Sequence, residues 1–283
     1  MNENSPLKTP QIKQWLHDAT HRLVGVGIGS AKLDAEIILA HTVRKSRTFL
    51  HAHDDELLTP RQHEIAEARL QLRLDRTPIA YIVGHKEFYG RLFKVTPATL
   101  IPRPESETII EILQEQLPKN LSLLSETKRL IDVGTGSGCL GITAKLEFPE
   151  LDVTISDVSR HALNVAQENA RQLDADVSVL QSNLLSQYPF TADYIIANLP
   201  YVDIQWERSP ETNYEPSLAL FAKRSGLELI YKLIEECSDH LSNSGLLILE
   251  ADPRQHSAII EKAKKHGLTL GEARGFIVYF TKA

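Results

Sequence analysis

Cysteine, methionine and tryptophan are scarce in this chain of 283 residues: it holds two, one and two of them. The two cysteines, Cys139 and Cys237, supply neither a disulfide framework nor a zinc-ligand spacing. No apolar run reaches the length of a membrane helix and no signal peptide is read, so a cytoplasmic protein is expected. A basic excess is missing too. Lys and Arg number 31 against 37 Asp and Glu, a net charge of −6, which argues against a dedicated nucleic-acid binder with a global positive field. Arg69, Arg73 and Arg76 could still form a local basic patch. Of the histidines, only His51-Ala52-His53 forms a close pair. It has no cysteine or His-Glu-x-x-His context, so it reads as a solvated loop, and no metal is expected. What remains is an ordinary globular composition over a length suited to two modest domains.

The first ~80 residues carry helical periodicity. Thr9-Pro10 is a candidate helix start, with Ile12, Trp15, Leu16 and Ala19 on its inner face. Ser30 opens a second helix, with Leu33, Ile37, Ile38 and Ala40 turned inward. Thr59-Pro60 opens a third, with Ile65, Ala68 and Leu72 as its stripe. Ile79–Val83 and Glu87–Val95 are rich in β-branched and aromatic residues around Gly90 and read as a β-hairpin. Ile101–Glu105 is a stiff passage leading into a helix that runs to about Leu117. From about Lys128, short apolar runs alternate with helical patterns, which implies an α/β fold with a mainly parallel, doubly wound sheet.

Two stretches carry chemistry. Asp132-Val133-Gly134-Thr135-Gly136-Ser137-Gly138 lies at a strand-to-helix junction, where glycines permit a tight turn and close approach of a ligand. Gly136-x-Gly138-x-x-Gly141 satisfies a dinucleotide fingerprint, and Asp157 after the next strand suits the ribose hydroxyls of any adenosyl ligand. The second stretch, Asn198-Leu199-Pro200-Tyr201, follows the apolar run Tyr194–Ala197, at the carboxyl end of a strand where open α/β sheets place ligands. The Asn198 side-chain oxygen and the Leu199 carbonyl can accept the two hydrogens of a planar NH2 group. Pro200 stiffens the turn and Tyr201 offers a ring face. A grip on an amine suits methyl transfer to nitrogen and has no use in hydride transfer.

With those residues in view, the chain resembles the HemK/PrmC family, release-factor glutamine N5-methyltransferases, over nearly its whole length. The resemblance rests on Asp34–His41, Pro78–Gly84, Glu87–Gly90, the specific stretch Leu100-Ile101-Pro102-Arg103-Pro104-Glu105-Ser106-Glu107, and Asp132–Leu140. Asp157–Ser159, Glu215-Pro216, Ala219-Leu220, Gly226-Leu227 and Leu247–Glu250 add to it. It departs from the family in having Leu199 where Pro is usual and Asn183 where Asp is usual. The resemblance implies a class I S-adenosylmethionine-dependent methyltransferase fold, Rossmann-like, preceded by a helical domain. The expected boundaries are 1–84 for a helical substrate-recognition domain, 85–104 for a β-hairpin linker and 105–283 for the methyltransferase domain.

The implied cofactor is S-adenosyl-L-methionine, held by Gly134, Thr135, Gly136, Ser137, Gly138, Asp157, Asn183, Leu184 and Asn198. The implied catalytic and substrate-binding residues are Asn198, Leu199, Pro200 and Tyr201. The expected partner is a peptide-chain release factor, its Gly-Gly-Gln glutamine being the acceptor. No membrane association and no stable nucleic-acid complex are expected, and a monomer is. An alternative substrate, RNA or DNA adenine N6, is kept open because Asn-Leu-Pro-Tyr also occurs in adenine methyltransferases of ribosomal RNA.

Overall fold

Apolar side chains in the second half of the chain alternate along short strands, and that alternation builds a two-faced sheet. The structure, a computed structural model, describes residues 9–118, 126–207, 209–220, 222 and 225–283. The chain divides into two compact units, Met1–Gly84 with Ser209–Tyr214, and His85–Arg208 with Glu215–Ala283.

The first unit contains α1 (Ile12–Gly25), α2 (Ala31–Val43), α3 (Arg47–Ala52), α4 (Pro60–Leu74) and α5 (Ile79–Val83), with a 3₁₀ turn at Pro210–Tyr214. Helix α1 starts two residues later than Thr9-Pro10 suggests, because Gln11 and Gln14 form the capping box. Thr59 does cap α4, with Pro60 at its first position and Gln62 completing the box. Ile12, Trp15, Ala19, Leu23, Ile38, Leu39, Leu50 and Leu70 make the core.

Three expectations about this unit are corrected. Leu33, Ala68 and Leu72 are exposed, because α2 and α4 turn Asp34 and Arg73 inward. A stripe counted from apolar residues alone misses an inner face that carries an ion pair. Ile79–Val83 is helical, not a strand. Gly84 closes it in a left-handed conformation, Ala80 is buried, and Ile79 and Ile82, three apart, share a face toward the core. His51 and Ala52 belong to α3. His53 stacks on Phe49 with ring centroids 4.0 Å apart, so this is no solvated loop.

The proposed basic patch is also corrected. Arg73 donates to Asp34 at 2.7 Å and to Glu211 at 3.1 Å, Arg76 pairs with the same Glu211 at 3.3 Å, and Arg69 donates to Thr42. Burial alone would raise the Glu211 carboxyl. Hydrogen bonds from Ser209, the backbone, Arg73 and Arg76 outweigh it and hold the group at about 2.

In the second unit, β1 (His85–Phe88) and β2 (Arg91–Lys94) form the hairpin, with Tyr89 and Gly90 both at positive φ in its two-residue turn. A 3₁₀ turn at Pro104–Ser106 leads into α6 (Glu107–Gln116). There follow β3 (Arg129–Val133), α7 (Cys139–Glu147), β4 (Asp152–Asp157), α8 (Arg160–Gln172), β5 (Ser178–Gln181) and β6 (Ala192–Ala197). The short α9 (Ser217–Leu220), α10 (Glu228–His240), β7 (Leu241–Glu250), α11 (His256–Lys265), β8 (Leu268–Arg274) and β9 (Ile277–Lys282) complete it.

The sheet order is β5-β4-β3-β6-β7-β9-β8, parallel except at β9. Ile131, Val133, Ile195, Ala197, Leu247 and Leu249 face α10 and α11. Leu130, Tyr194, Ile196, Leu246 and Ile248 face α6, α7 and α8. This is period-two alternation with both faces covered, each buried aliphatic side chain contributing roughly 1.5–3 kcal/mol.

Candidate active site

The parallel register sets the site. Val133 pairs with Ala197, and Ala197 with Leu249, so Gly134, Asn198 and Glu250 stand in one row at the carboxyl ends of β3, β6 and β7. A cleft opens there, enclosing about 1160 Å³ of empty space that is partly open to solvent. Its walls include Gly134, Thr135, Gly136, Ser137, Asp157, Asn183, Leu184, Asn198, Leu199 and Pro200. Of the residues singled out from the sequence, Gly138 and Tyr201 are not among those lining it. The cleft also takes in Pro102, Arg103 and Ser106 from the Ile101–Glu107 stretch.

Gly134, Gly136 and Gly138 have φ of +75°, +56° and +83°, the left-handed region that side chains other than glycine rarely adopt. Space around Gly136 is open, as a close ligand approach requires. A Cβ on Gly141 would meet Ile155 at 2.5 Å, so that glycine serves helix–sheet packing. The loop amides are largely spent inside the protein. Gly134 and Thr135 donate to the Ser156 carbonyl, Gly136 to Asp157, and Gly138 to the Thr135 carbonyl. Those bonds fix the shape of the turn, so the matching spacing alone does not make it a dinucleotide site.

Asp132, fully buried, holds the loop from beneath. One oxygen accepts from Thr135 Oγ1 at 2.5 Å and from the Gly141 amide at 2.9 Å. Burial raises its carboxyl to about 6, against those two hydrogen bonds and aided by the nearby Asp157 charge. Asp157 is also pushed up by burial, opposed by hydrogen bonds from the Ser159 and Gly136 amides at 2.8 and 3.0 Å. Asp157 lines the cleft. Asn183 is exposed on the same wall, and the neighbouring Leu184 is buried with φ of +53°.

Asn198 is fixed by groups that sequence reasoning missed. Its Nδ2 donates to Ser106 Oγ at 3.0 Å, and Ser106 Oγ in turn donates to Glu250 Oε2. Tyr201 Oη donates to Glu250 Oε1 at 3.0 Å, so the tyrosine is turned toward the carboxylate. Burial raises the pKa of Glu250, opposed by hydrogen bonds from Ser106, Tyr201 and Asn198. Burial, then the Glu250 charge, raises Tyr201 as well. Arg103 donates to the buried Glu215 at 2.5 Å, whose other oxygen accepts from the Ile101 amide, and this pins the passage carrying Ser106. An acid ending the apolar run Leu246–Glu250 was the signal available in the sequence.

A family described as the PrmC N-terminal domain matches residues 14–84, and one described as the methyltransferase small domain matches residues 107–211. A release factor glutamine methyltransferase from Koribacter versatilis is 35% identical over 252 residues, covering 86% of this chain and 88% of its own. One of the same name from Deinococcus radiodurans is 31% identical, covering 91% of each chain. A bifunctional methyltransferase from Rickettsia conorii is 32% identical over 92% of this chain, which spans about half, 54%, of that protein. A Pyrococcus furiosus methyltransferase structure aligns with a TM-score of 0.52 at 21% identity, over 77% of this chain and 98% of its own.

The sheet, the glycine loop and the cleft define a class I S-adenosylmethionine-dependent methyltransferase fold, joined to an N-terminal helical domain. The chain belongs to the release factor glutamine methyltransferase family.

Proposed function

We propose that this protein transfers a methyl group from S-adenosylmethionine to the side-chain amide nitrogen of the glutamine in the Gly-Gly-Gln motif of a peptide-chain release factor. The observation that carries the reading is the Asn198 side chain at the mouth of β6, its Nδ2 tied to Ser106 and its oxygen left to the cleft. The cleft fits the cofactor, having an open glycine turn at Gly136 and a carboxylate at Asp157. Gly134, Thr135, Gly136 and Ser137 would hold its amino-acid end, Asp157 its ribose, and Asn183 and Leu184 its adenine. When bound, S-adenosylmethionine supplies an electrophilic methyl group on a sulfonium.

An amide nitrogen is a weak nucleophile because its lone pair is delocalised. The protein's task is therefore orientation. Asn198 Oδ1 and the Leu199 carbonyl accept the two N–H groups and aim the nitrogen. Both bonds strengthen as positive charge grows on nitrogen. Methyl transfer first leaves the amide nitrogen positively charged with both its hydrogens; that cation is strongly acidic, so one proton passes to water without a dedicated base and the neutral N-methyl amide results. Leu in place of the usual proline at 199 keeps the carbonyl, which is the contact required.

Residues 1–84 would read the release-factor surface beyond the glutamine, and the enzyme would act as a monomer in the cytoplasm. Among the described residues no helix is long and apolar enough to cross a membrane. The test is incubation of the protein with methyl-labelled S-adenosylmethionine and either a release factor or RNA, followed by mass spectrometry of the labelled product. Label on the glutamine amide nitrogen is expected. Label on adenine N6 of RNA, with the release factor unmodified, would overturn the reading.

A further inference from the structure

Ser106 and Glu250 are each about 2% exposed, and neither touches the reacting atoms in the mechanism above. We propose that they are positioning residues that fix which end of the Asn198 amide faces the cleft; this rests on Asn198 acting as the acceptor for the glutamine NH2. An asparagine amide turned by 180° occupies the same volume, so packing alone does not choose between its oxygen and its nitrogen. Hydrogen-bond polarity does. An ionised carboxylate only accepts, and the hydrogen bonds from Ser106, Tyr201 and Asn198 favour that form of Glu250 against the upward push of burial. Glu250 accepts from Tyr201 through one oxygen and from Ser106 through the other, and the Asn198 NH2 also reaches this carboxylate directly, which favours the same orientation. The one hydroxyl proton of Ser106 is spent on Glu250, so toward Asn198 the hydroxyl can only accept. Asn198 must then present its NH2 to Ser106, at 3.0 Å, and its oxygen to the cleft. A reversed amide would set N–H groups against the N–H groups of the incoming glutamine. The direction of donation therefore runs from the buried acid outward, and the strand register that places Glu250 one residue beyond the Ala197–Leu249 pair puts the acid within reach.

The test compares four variants with methyl-labelled S-adenosylmethionine and a full-length release factor, measuring kcat, KM and cofactor affinity. Ser106→Ala should lower kcat about tenfold or more, since small errors in placing reacting groups are costly, while KM and cofactor affinity stay within about twofold. Ser106→Thr, which keeps the hydroxyl, should restore most of kcat. Glu250→Met keeps the length without the charge, at some cost in stability because the Tyr201 hydroxyl loses its acceptor. It frees the Ser106 proton to donate to Asn198, and in the folded enzyme kcat should fall about as far as in Ser106→Ala. Wild-type kcat in a folded Ser106→Ala or Glu250→Met enzyme overturns the proposal, as does a Ser106→Thr enzyme no better than Ser106→Ala. Asn198→Ala separates the two readings. If it keeps wild-type kcat, the acceptor role itself fails. If it is impaired while Ser106→Ala and Glu250→Met are not, only the positioning role fails.

Discussion

A Cβ atom on Gly134 would lie 2.9 Å from Leu199 Cδ2, so the glycine turn after β3 and the Asn-Leu-Pro-Tyr turn after β6 touch through a side chain. The contact joins the turn proposed to hold the cofactor to the turn proposed to hold the acceptor amide. Leu199, 4% exposed, is thus a packing residue, besides carrying the carbonyl proposed to accept from the substrate amide.

Gly134→Ala should therefore fail on two counts. The residue's φ is +75°, a conformation that costs an L-residue about 1–2 kcal/mol, and its methyl would displace Leu199. We expect a lower melting temperature and weaker S-adenosylmethionine binding by calorimetry. Unchanged affinity would show that the turn does not shape the cofactor's end of the cleft.

Asp132 ties stability to pH. Its carboxyl is raised to about 6 in the folded protein against an ordinary value of 3.8. Between those values the native state binds more protons than the unfolded state, so this group's contribution to stability falls as pH rises through about 4 to 6. Above that window the burial cost is present in full, at most about 3 kcal/mol for a shift of this size. Asp132→Asn removes the titration. Its stability relative to wild type, from urea denaturation without cofactor, should improve as pH is raised from 4 to 7. A difference independent of pH would contradict this.

Arg73 supports the helical unit. Only 5% exposed, it is the partner of both Asp34 and Glu211. Arg73→Ala leaves the buried Asp34 without a cation, while Glu211 keeps Arg76, so roughly 3–5 kcal/mol of that unit's stability should be lost, read by urea denaturation of the full chain. Arg73→Lys should recover only part of it, because a single ammonium cannot replace the guanidinium fork. A loss below about 1 kcal/mol for Arg73→Ala would mean that the network is incidental.

These features differ in how far the sequence discloses them. The glycine turn and Asn198 are legible because each is a contiguous run with a local cause: a strand end, a tight turn, a rigid proline. The sheet is legible because both its faces are buried and its strands are short apolar runs between helical patterns. Arg73 is not legible, since its partners Asp34 and Glu211 lie 39 and 138 residues away. Its neighbourhood reads as a basic patch until those acids are brought to it. The inner faces of α2 and α4 were misplaced for the same reason. Ile79–Val83 reads as a strand because β-branched residues favour one locally, while burial of Ala80 and the left-handed stop at Gly84 favour a turn of helix. Ser106 and Glu250 stand 144 positions apart, and only the packing of Pro104–Ser106 against the end of β7 makes them a pair.

The central claim is that catalysis here is orientation of an amide by Asn198. The most direct measurement is single-turnover methyl transfer to the release-factor glutamine by Asn198→Ala, at saturating S-adenosylmethionine and substrate. The Leu199 carbonyl and Pro200 remain in that variant, so the glutamine would keep one acceptor and turn away from the methyl group. Loss of a comparable preorganised polar contact costs about 10²–10³ in rate. A fall of that size in the rate of the chemical step, with KM and cofactor affinity little changed, is the predicted result; a near-normal rate would contradict the account.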